Sequence, residues 1–344
     1  MFKVIFRLIA TLVLIALIAA TGNPLRASPQ GKVCNWTGFS GSDFFWETGD
    51  NWACTGGSGP PSGEDDVLIS SGWANAPIVW GNASAKTVTL SGVLKIAGHL
   101  SVGAKWTNMG EATIQSQGTL EGNGEVTPTG TFHFYDSGTI IGDLTIEPLA
   151  TASVGVSAVY LQGNVLNNGT LTSEENEGQF HMQGLLFTNY GTVSLKEFYF
   201  ERSGVQEVNG SGTWSGPGHL FVTNGTHLTA RSDVTFGPQH VLFDDPLDVG
   251  TFKVTFTSPA SVGGSIVGSP GGSVHTQGDG VSINLSNGEC FTPPLVVDNG
   301  VTHAYGTFSG TITINQGGTL RVMAAPAGVI KAANEVTVTG TLDG

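Results

Sequence analysis

Apolar and polar side chains alternate along most of this chain in short runs. Examples are Thr87-Val88-Thr89-Leu90, Val193-Ser194-Leu195, Lys253-Val254-Thr255-Phe256, Thr311-Ile312-Thr313-Ile314 and Val336-Thr337-Val338-Thr339. A two-residue apolar period rich in β-branched side chains predicts strands with one buried face. No stretch beyond the leader sustains a 3.6-residue apolar period, so the sequence predicts almost no helix.

Between the runs one punctuation mark recurs: glycine, threonine, then an apolar residue. It stands at Gly118-Thr119-Leu120, Gly138-Thr139-Ile140, Gly169-Thr170-Leu171, Gly191-Thr192-Val193, Gly212-Thr213-Trp214, Gly318-Thr319-Leu320 and Gly340-Thr341-Leu342. Gly118 and Gly138, Gly169 and Gly191, Gly191 and Gly212, and Gly318 and Gly340 lie 20, 22, 21 and 22 residues apart. Such an interval suits one three-strand coil of a parallel β-helix, with glycine at a positive-φ corner and the threonine opening the next strand. Asn168, Asn209, Asn224 and Asn287 precede glycines, which is turn chemistry before it is a glycosylation signal. The predicted fold is therefore all-β, a parallel β-helix (β-solenoid) over residues 67–344. Tandem β-sandwiches are the alternative, because two of their strand-turn steps span a similar interval. The recurring corner and the lack of a restarting unit favour the solenoid. The Gly/Ser/Pro-rich stretch 258–280 is expected to form irregular coils or a break. The last residues read as an opening coil, which predicts continuation beyond Gly344.

The leader carries Lys3 and Arg7, an apolar run over 8–20, and then Thr21-Gly22-Asn23-Pro24. This is the order of a secretory signal peptide, and its apolar core is shorter than the ~20 residues of a bilayer span. Cleavage is expected after Ala27, with Gly22 as the other small-residue site, so residues 1–27 form the signal segment and the mature protein is secreted or held at the cell surface. Losing Lys3, Arg7 and Arg26 lowers the formal charge from −14 to −17. So acidic a chain argues against nucleic acid and anionic membranes as partners. In an oxidising compartment Cys34 and Cys54 are expected to form a disulfide, which leaves Cys290 as a free thiol or one paired outside the chain. No Cys/His spacing suits zinc, and no cofactor is expected.

Residues 28–66 differ from the repeats and read as a cap. They hold Cys34-Asn35-Trp36-Thr37-Gly38, Phe44-Phe45-Trp46, Asn51-Trp52-Ala53-Cys54, and a proline-rich approach to Asp65-Asp66-Val67-Leu68-Ile69. This order resembles the leading segment of large bacterial extracellular repeat proteins with β-solenoid bodies, of the autotransporter-passenger or hemagglutinin-like kind. The resemblance covers residues 34–69 as a motif and the remainder only as repeat texture. It implies a surface or secreted protein used in adhesion, matrix building or contact with other cells, with host or neighbouring-cell glycans or proteins as partners.

Candidate chemistry is sparse. Trp36, Trp46 and Trp52 are candidates for a sugar-stacking platform, against the reading that they pack together and plug the first coil. Asp65 and Asp66 lack calcium-loop spacing and fit a polar turn before the first strand. Asp244 and Asp245 are the adjacent acidic pair within the repeats, with Asp233, Asp248, Arg231, His219 and His240 nearby in sequence. They are the catalytic candidates if the chain is a β-helix polysaccharide lyase or hydrolase. The Gly-His-Gly and Arg-x-Lys strings of galacturonan hydrolases do not follow them, so a turn between strands is the preferred reading. The eight histidines show no paired-ligand spacing. The Thr-x-Thr pairs, such as Thr311 and Thr313, recur too irregularly for a flat ice-binding array. The sequence thus points to a non-catalytic surface protein, with the polysaccharide enzyme as the alternative.

Overall fold

A computed structural model describes residues 31–38, 43–174, 177–216, 218–237, 240–243, 245–257, 259–285, 289–322 and 336–343. The expected signal segment, residues 1–27, lies outside the described residues, as does Asp244. Among the described residues the only helical element is a single 3-10 turn, Gly49–Asn51. The chain winds into a parallel β-solenoid of about 13 turns. Most turns lay one strand on each of three faces; after Ile266–Val267 the first face narrows to single bridges at Phe291 and Phe308. The first face opens with Asp66–Ile69, the second with Ile78–Val79, and the third with the leading half of Asn82–Leu90. At the ~4.8 Å spacing of paired strands, about 13 turns make a stack roughly 60 Å long.

Strand alternation builds the core because successive turns pair in parallel and in register. On the second face Leu94, Ala112, Phe132, Ala152, Leu171, Val193 and Trp214 lie directly above one another. On the third, Leu100, Leu120, Ile140, Leu161, Met182, Phe200, Val222 and Phe243 do the same. All of these side chains are buried. This parallel, turn-to-turn pairing excludes the sandwich alternative. The middle turns are filled by rings: Phe187 packs against Phe198, Phe200 and Trp214, with centroids 5.0, 6.3 and 5.2 Å away. Each buried phenylalanine contributes about 2–3 kcal/mol by leaving water. The second face is divided into an eight-strand and a six-strand ladder, and Trp214 against Phe236, 5.5 Å apart, spans the division. The stretch 259–280 continues the stack, with Ser261–Gly263, Ile266–Val267 and Ser273–Gln277 paired to their neighbours.

The recurring glycines have a different role from the one expected. Gly118, Gly191, Gly212 and Gly340 do not adopt positive φ. A Cβ on Gly118 would sit 2.2 Å from the carbonyl oxygen of Ile96, and one on Gly191 would sit 2.0 Å from that of Gly169. The side chain is missing at these corners because the preceding turn passes too close. Positive φ falls elsewhere, for instance at the Asn224-Gly225 turn, where both residues are left-handed.

Buried asparagines clamp one corner. Asn108 accepts from the backbone N–H of Gly110 and donates to Thr131 O. Asn167 donates to Asn189 Oδ1 at 2.8 Å and to Thr192 O at 3.0 Å, and Asn189 donates onward to Thr213 O. These three side chains are almost fully buried, so their amides satisfy backbone carbonyls where the strands turn away.

The leading segment joins the same stack. Val33–Trp36 pairs antiparallel with Trp52–Cys54 and parallel with Asp66–Ile69. The Cys34–Cys54 disulfide staples the hairpin. Asp65 ties the approach to the first strand, accepting from Lys32 N, Ser62 N and Ser62 Oγ at 2.7–2.9 Å. Burial alone would raise the Asp65 carboxyl, but these hydrogen bonds and the nearby Lys32 charge hold it below its ordinary value.

Candidate functional site

The outward side of the third face carries the densest chemistry. Two consecutive strands there read Gln179-Phe180-His181-Met182-Gln183 and Glu197-Phe198-Tyr199-Phe200-Glu201, and they pair with Gln179 over Glu197 and His181 over Tyr199. Alternation sends Phe180, Met182, Phe198 and Phe200 inward and the polar residues outward. Gln179 Nε2 donates to Glu197 Oε2 at 2.6 Å and Gln183 Nε2 to Glu201 Oε1 at 2.9 Å. Between the amide–carboxylate pairs the rings of His181 and Tyr199 are parallel, 4.4 Å apart.

The ring column runs on in both directions. Tyr160 lies 4.8 Å from His181 on one side, and Phe221 lies 4.8 Å from Tyr199 on the other. His219 stands beside Phe221 and stacks on His240 at 4.7 Å. In-register pairing at the spacing of the sheet produces this column without further design.

Two carboxylates, Glu197 and Glu201, border the column. The Tyr199 hydroxyl donates to Glu197 Oε2 at 2.7 Å. Burial first, then Glu197 and Glu201, raise its pKa well above the ordinary phenol range, so it stays protonated. Burial and the neighbouring His240 depress the His219 imidazole, against the pull of Glu197, which keeps it uncharged at neutral pH. The His181 Nδ1 lies 2.9 Å from Glu201 Oε2 but out of line for a hydrogen bond. With ring faces covered by one another, the stripe presents ring edges, amides and carboxylate oxygens to solvent.

A second polar knot lies on the second face. Ser153 Oγ donates to Glu174 Oε1 at 2.5 Å, and His133 Nδ1 approaches both, at 2.6 and 2.7 Å. The hydrogen bond from Ser153 holds the Glu174 carboxyl low, reinforced by His133 against the effect of burial. A serine nucleophile needs a histidine base oriented by an acid on its far nitrogen. Here the acid holds the serine itself and Ser153 is buried, so the three side chains form a closed clasp.

The sequence candidates fall as follows. Trp36, Trp46 and Trp52 are core residues, 1%, 1% and 3% exposed, and they pack edge to face at 5.0 and 4.7 Å. Their faces are taken, so none of the three offers an open platform. Asp245 occupies a bend between the third and first faces. Asp233 and Asp248 are each tied to the backbone, accepting an N–H from Lys253 and Gly250 respectively, while Arg231 pairs with Glu207. His219 and His240, thought to flank the acidic pair, belong to the ring column. Cys290 is exposed and unpaired. Among the described residues no helix is long and apolar enough to cross a membrane.

No protein-family profile, curated protein or solved structure matches the chain. The column itself was missed in the sequence because its rungs do not share one interval: Gln179 and Glu197 are 18 residues apart, His99 and Glu121 on the same face 22. The strings Gln-Phe-His-Met-Gln and Glu-Phe-Tyr-Phe-Glu, set one above the other, carry the signal.

Proposed function

We propose that the protein is a non-catalytic extracellular scaffold that makes adhesive or matrix contacts through the outward stripe of its third face. This fits the surface-protein character implied by the Trp-rich leading segment, of the autotransporter-passenger or hemagglutinin-like kind, and by the secretory leader. The observation that carries the reading is the pairing of Gln179 with Glu197, His181 with Tyr199 and Gln183 with Glu201. Its carboxylates are engaged by neighbouring side chains, as befits a recognition surface. Its hydrogen-bonding groups repeat along the stack, which suits an extended, hydroxyl-rich partner such as a surface glycan or a protein strand.

The test compares wild type with a Tyr199→Ser/Phe221→Ser variant in attachment to glycan- and protein-coated surfaces. Both side chains point outward, so the fold is expected to persist. Loss of attachment with unchanged small-angle scattering supports the reading; attachment equal to wild type on every surface overturns it. Release of sugar products by wild type, abolished in Asp245→Asn, would establish the polysaccharide enzyme instead.

A further inference from the structure

A groove separate from the stripe opens beside the cap, where residues 70–77 lean over the second face. Its volume is about 690 Å³, inside the range of ~300–1,000 Å³ usual for small-ligand sites. Trp73, Asn75, Ser91, Lys95, Met109 and Glu111 line it. Trp73 is 45% exposed and also borders a second, smaller cavity shared with Thr37 and Gly38. Among the described residues it stacks on no other ring. Its indole face is thereby left open to a flat partner between two cavities.

The segment that holds Trp73 is anchored at both ends and in the middle. Ile69 O accepts from Ser91 N and Gly92 N, and Pro77 O accepts from Lys95 N. The indole N–H of Trp36 donates to Asn75 O at 2.9 Å. Trp36 is therefore a positioning residue: buried in the stapled hairpin, it fixes the loop that presents another tryptophan. Pre-organisation of this kind reduces the entropy lost on binding.

We infer that this groove binds a short neutral saccharide, with a pyranose ring stacked on Trp73. The lining supplies hydroxyl, amide, ammonium and carboxylate groups around one aromatic surface. Such a set satisfies sugar hydroxyls, whereas a wholly apolar ligand would bury Asn75, Lys95 and Glu111 without partners. Lys95 and Glu111 offset each other in charge, and the formal net charge of −14 disfavours acidic ligands such as nucleotides. The inference does not depend on the third-face stripe.

The experiment uses the purified protein labelled with 5-fluorotryptophan, with the Trp73 resonance assigned by the Trp73→Phe variant. Glucose, galactose, mannose, N-acetylglucosamine, cellobiose and maltose are titrated, with glucosamine and galacturonic acid as charged arms. At least one neutral sugar is expected to shift the Trp73 resonance saturably. Trp73→Ala should weaken that sugar's binding, read by saturation-transfer NMR, by about tenfold. Thr172→Ala, outside the groove lining and the stripe, should leave it unchanged. No shift with any neutral sugar, a response confined to a charged arm, or undiminished binding by Trp73→Ala would each overturn the inference.

Discussion

Replacing Asn167 with alanine tests whether the buried asparagines hold successive turns together. The side chain donates to Asn189 Oδ1 at 2.8 Å and to Thr192 O at 3.0 Å, and is itself fully buried. Its loss strands up to two acceptors, each costing about 1–3 kcal/mol when left unpaired in the interior. The Asn167 Oδ1 atom is already buried without a hydrogen bond, and its removal returns roughly 1 kcal/mol of that cost. With both acceptors stranded the expected net loss is about 1–5 kcal/mol, centred near 3. Stacked turns contact chiefly their neighbours, so the loss should be local rather than global. Hydrogen exchange read by peptide should show faster exchange over 165–194 and in the turns on either side, with residues 66–102 unaffected. The outward Thr172→Ala serves as control and should change stability by less than about 0.5 kcal/mol. An Asn167→Ala variant with wild-type exchange over 165–194 would refute the clamp. Destabilisation spread evenly over the whole chain would refute the locality.

Removing the staple with Cys34→Ser/Cys54→Ser should cost about 3 kcal/mol of cap stability by loop entropy; limited proteolysis should then cut within 33–54 while leaving the later turns intact, and uniform resistance would count against it. Leu149 sits at the third position of the Glu147-Pro148-Leu149-Ala150 turn with φ of 70° and is 87% exposed. Leu149→Gly should therefore stabilise by roughly 0.5–1 kcal/mol, seen as a higher denaturant midpoint, and a lower midpoint would contradict the strain argument. Burial alone would raise the Asp298 carboxyl, but Gln277, His275 and Lys253 outweigh it and hold it below its ordinary 3.8. Its stabilisation is therefore complete above that unfolded value and lost as pH falls through the lower folded one. Asp298→Asn should accordingly be less stable than wild type at pH 7, with the gap closing as pH falls below the ordinary carboxylate value; midpoints that stay equally separated as the solution is acidified would be inconsistent with it.

The solenoid was legible because alternation and a near-constant interval are direct consequences of stacking: Leu94, Ala112 and Phe132 must each face inward in every turn. The glycine corners were located correctly but explained by the wrong property. Backbone torsion is a local trait that a sequence hints at, whereas the approach of Gly191 to the Gly169 carbonyl depends on where the previous turn lies. Register hides the rest. Tyr199 becomes notable only when His181 is known to lie above it, and turns of unequal length conceal that from any fixed period. Among the tryptophans, clustering in sequence marked Trp36, Trp46 and Trp52, and clustering is what buries them. Trp73, outside the motif, is the one left open to the groove.

Because neighbouring strands bond along the long axis, a pull applied between the two ends of the stack loads those bonds lengthwise, a few at a time. Under tension the outermost winding would peel first. About 20 residues of released chain lengthen the tether by roughly 65–70 Å, while the remaining windings stay folded. A molecule of this design yields in steps and can rewind when the load drops, so that it absorbs shear as a spring of many small catches.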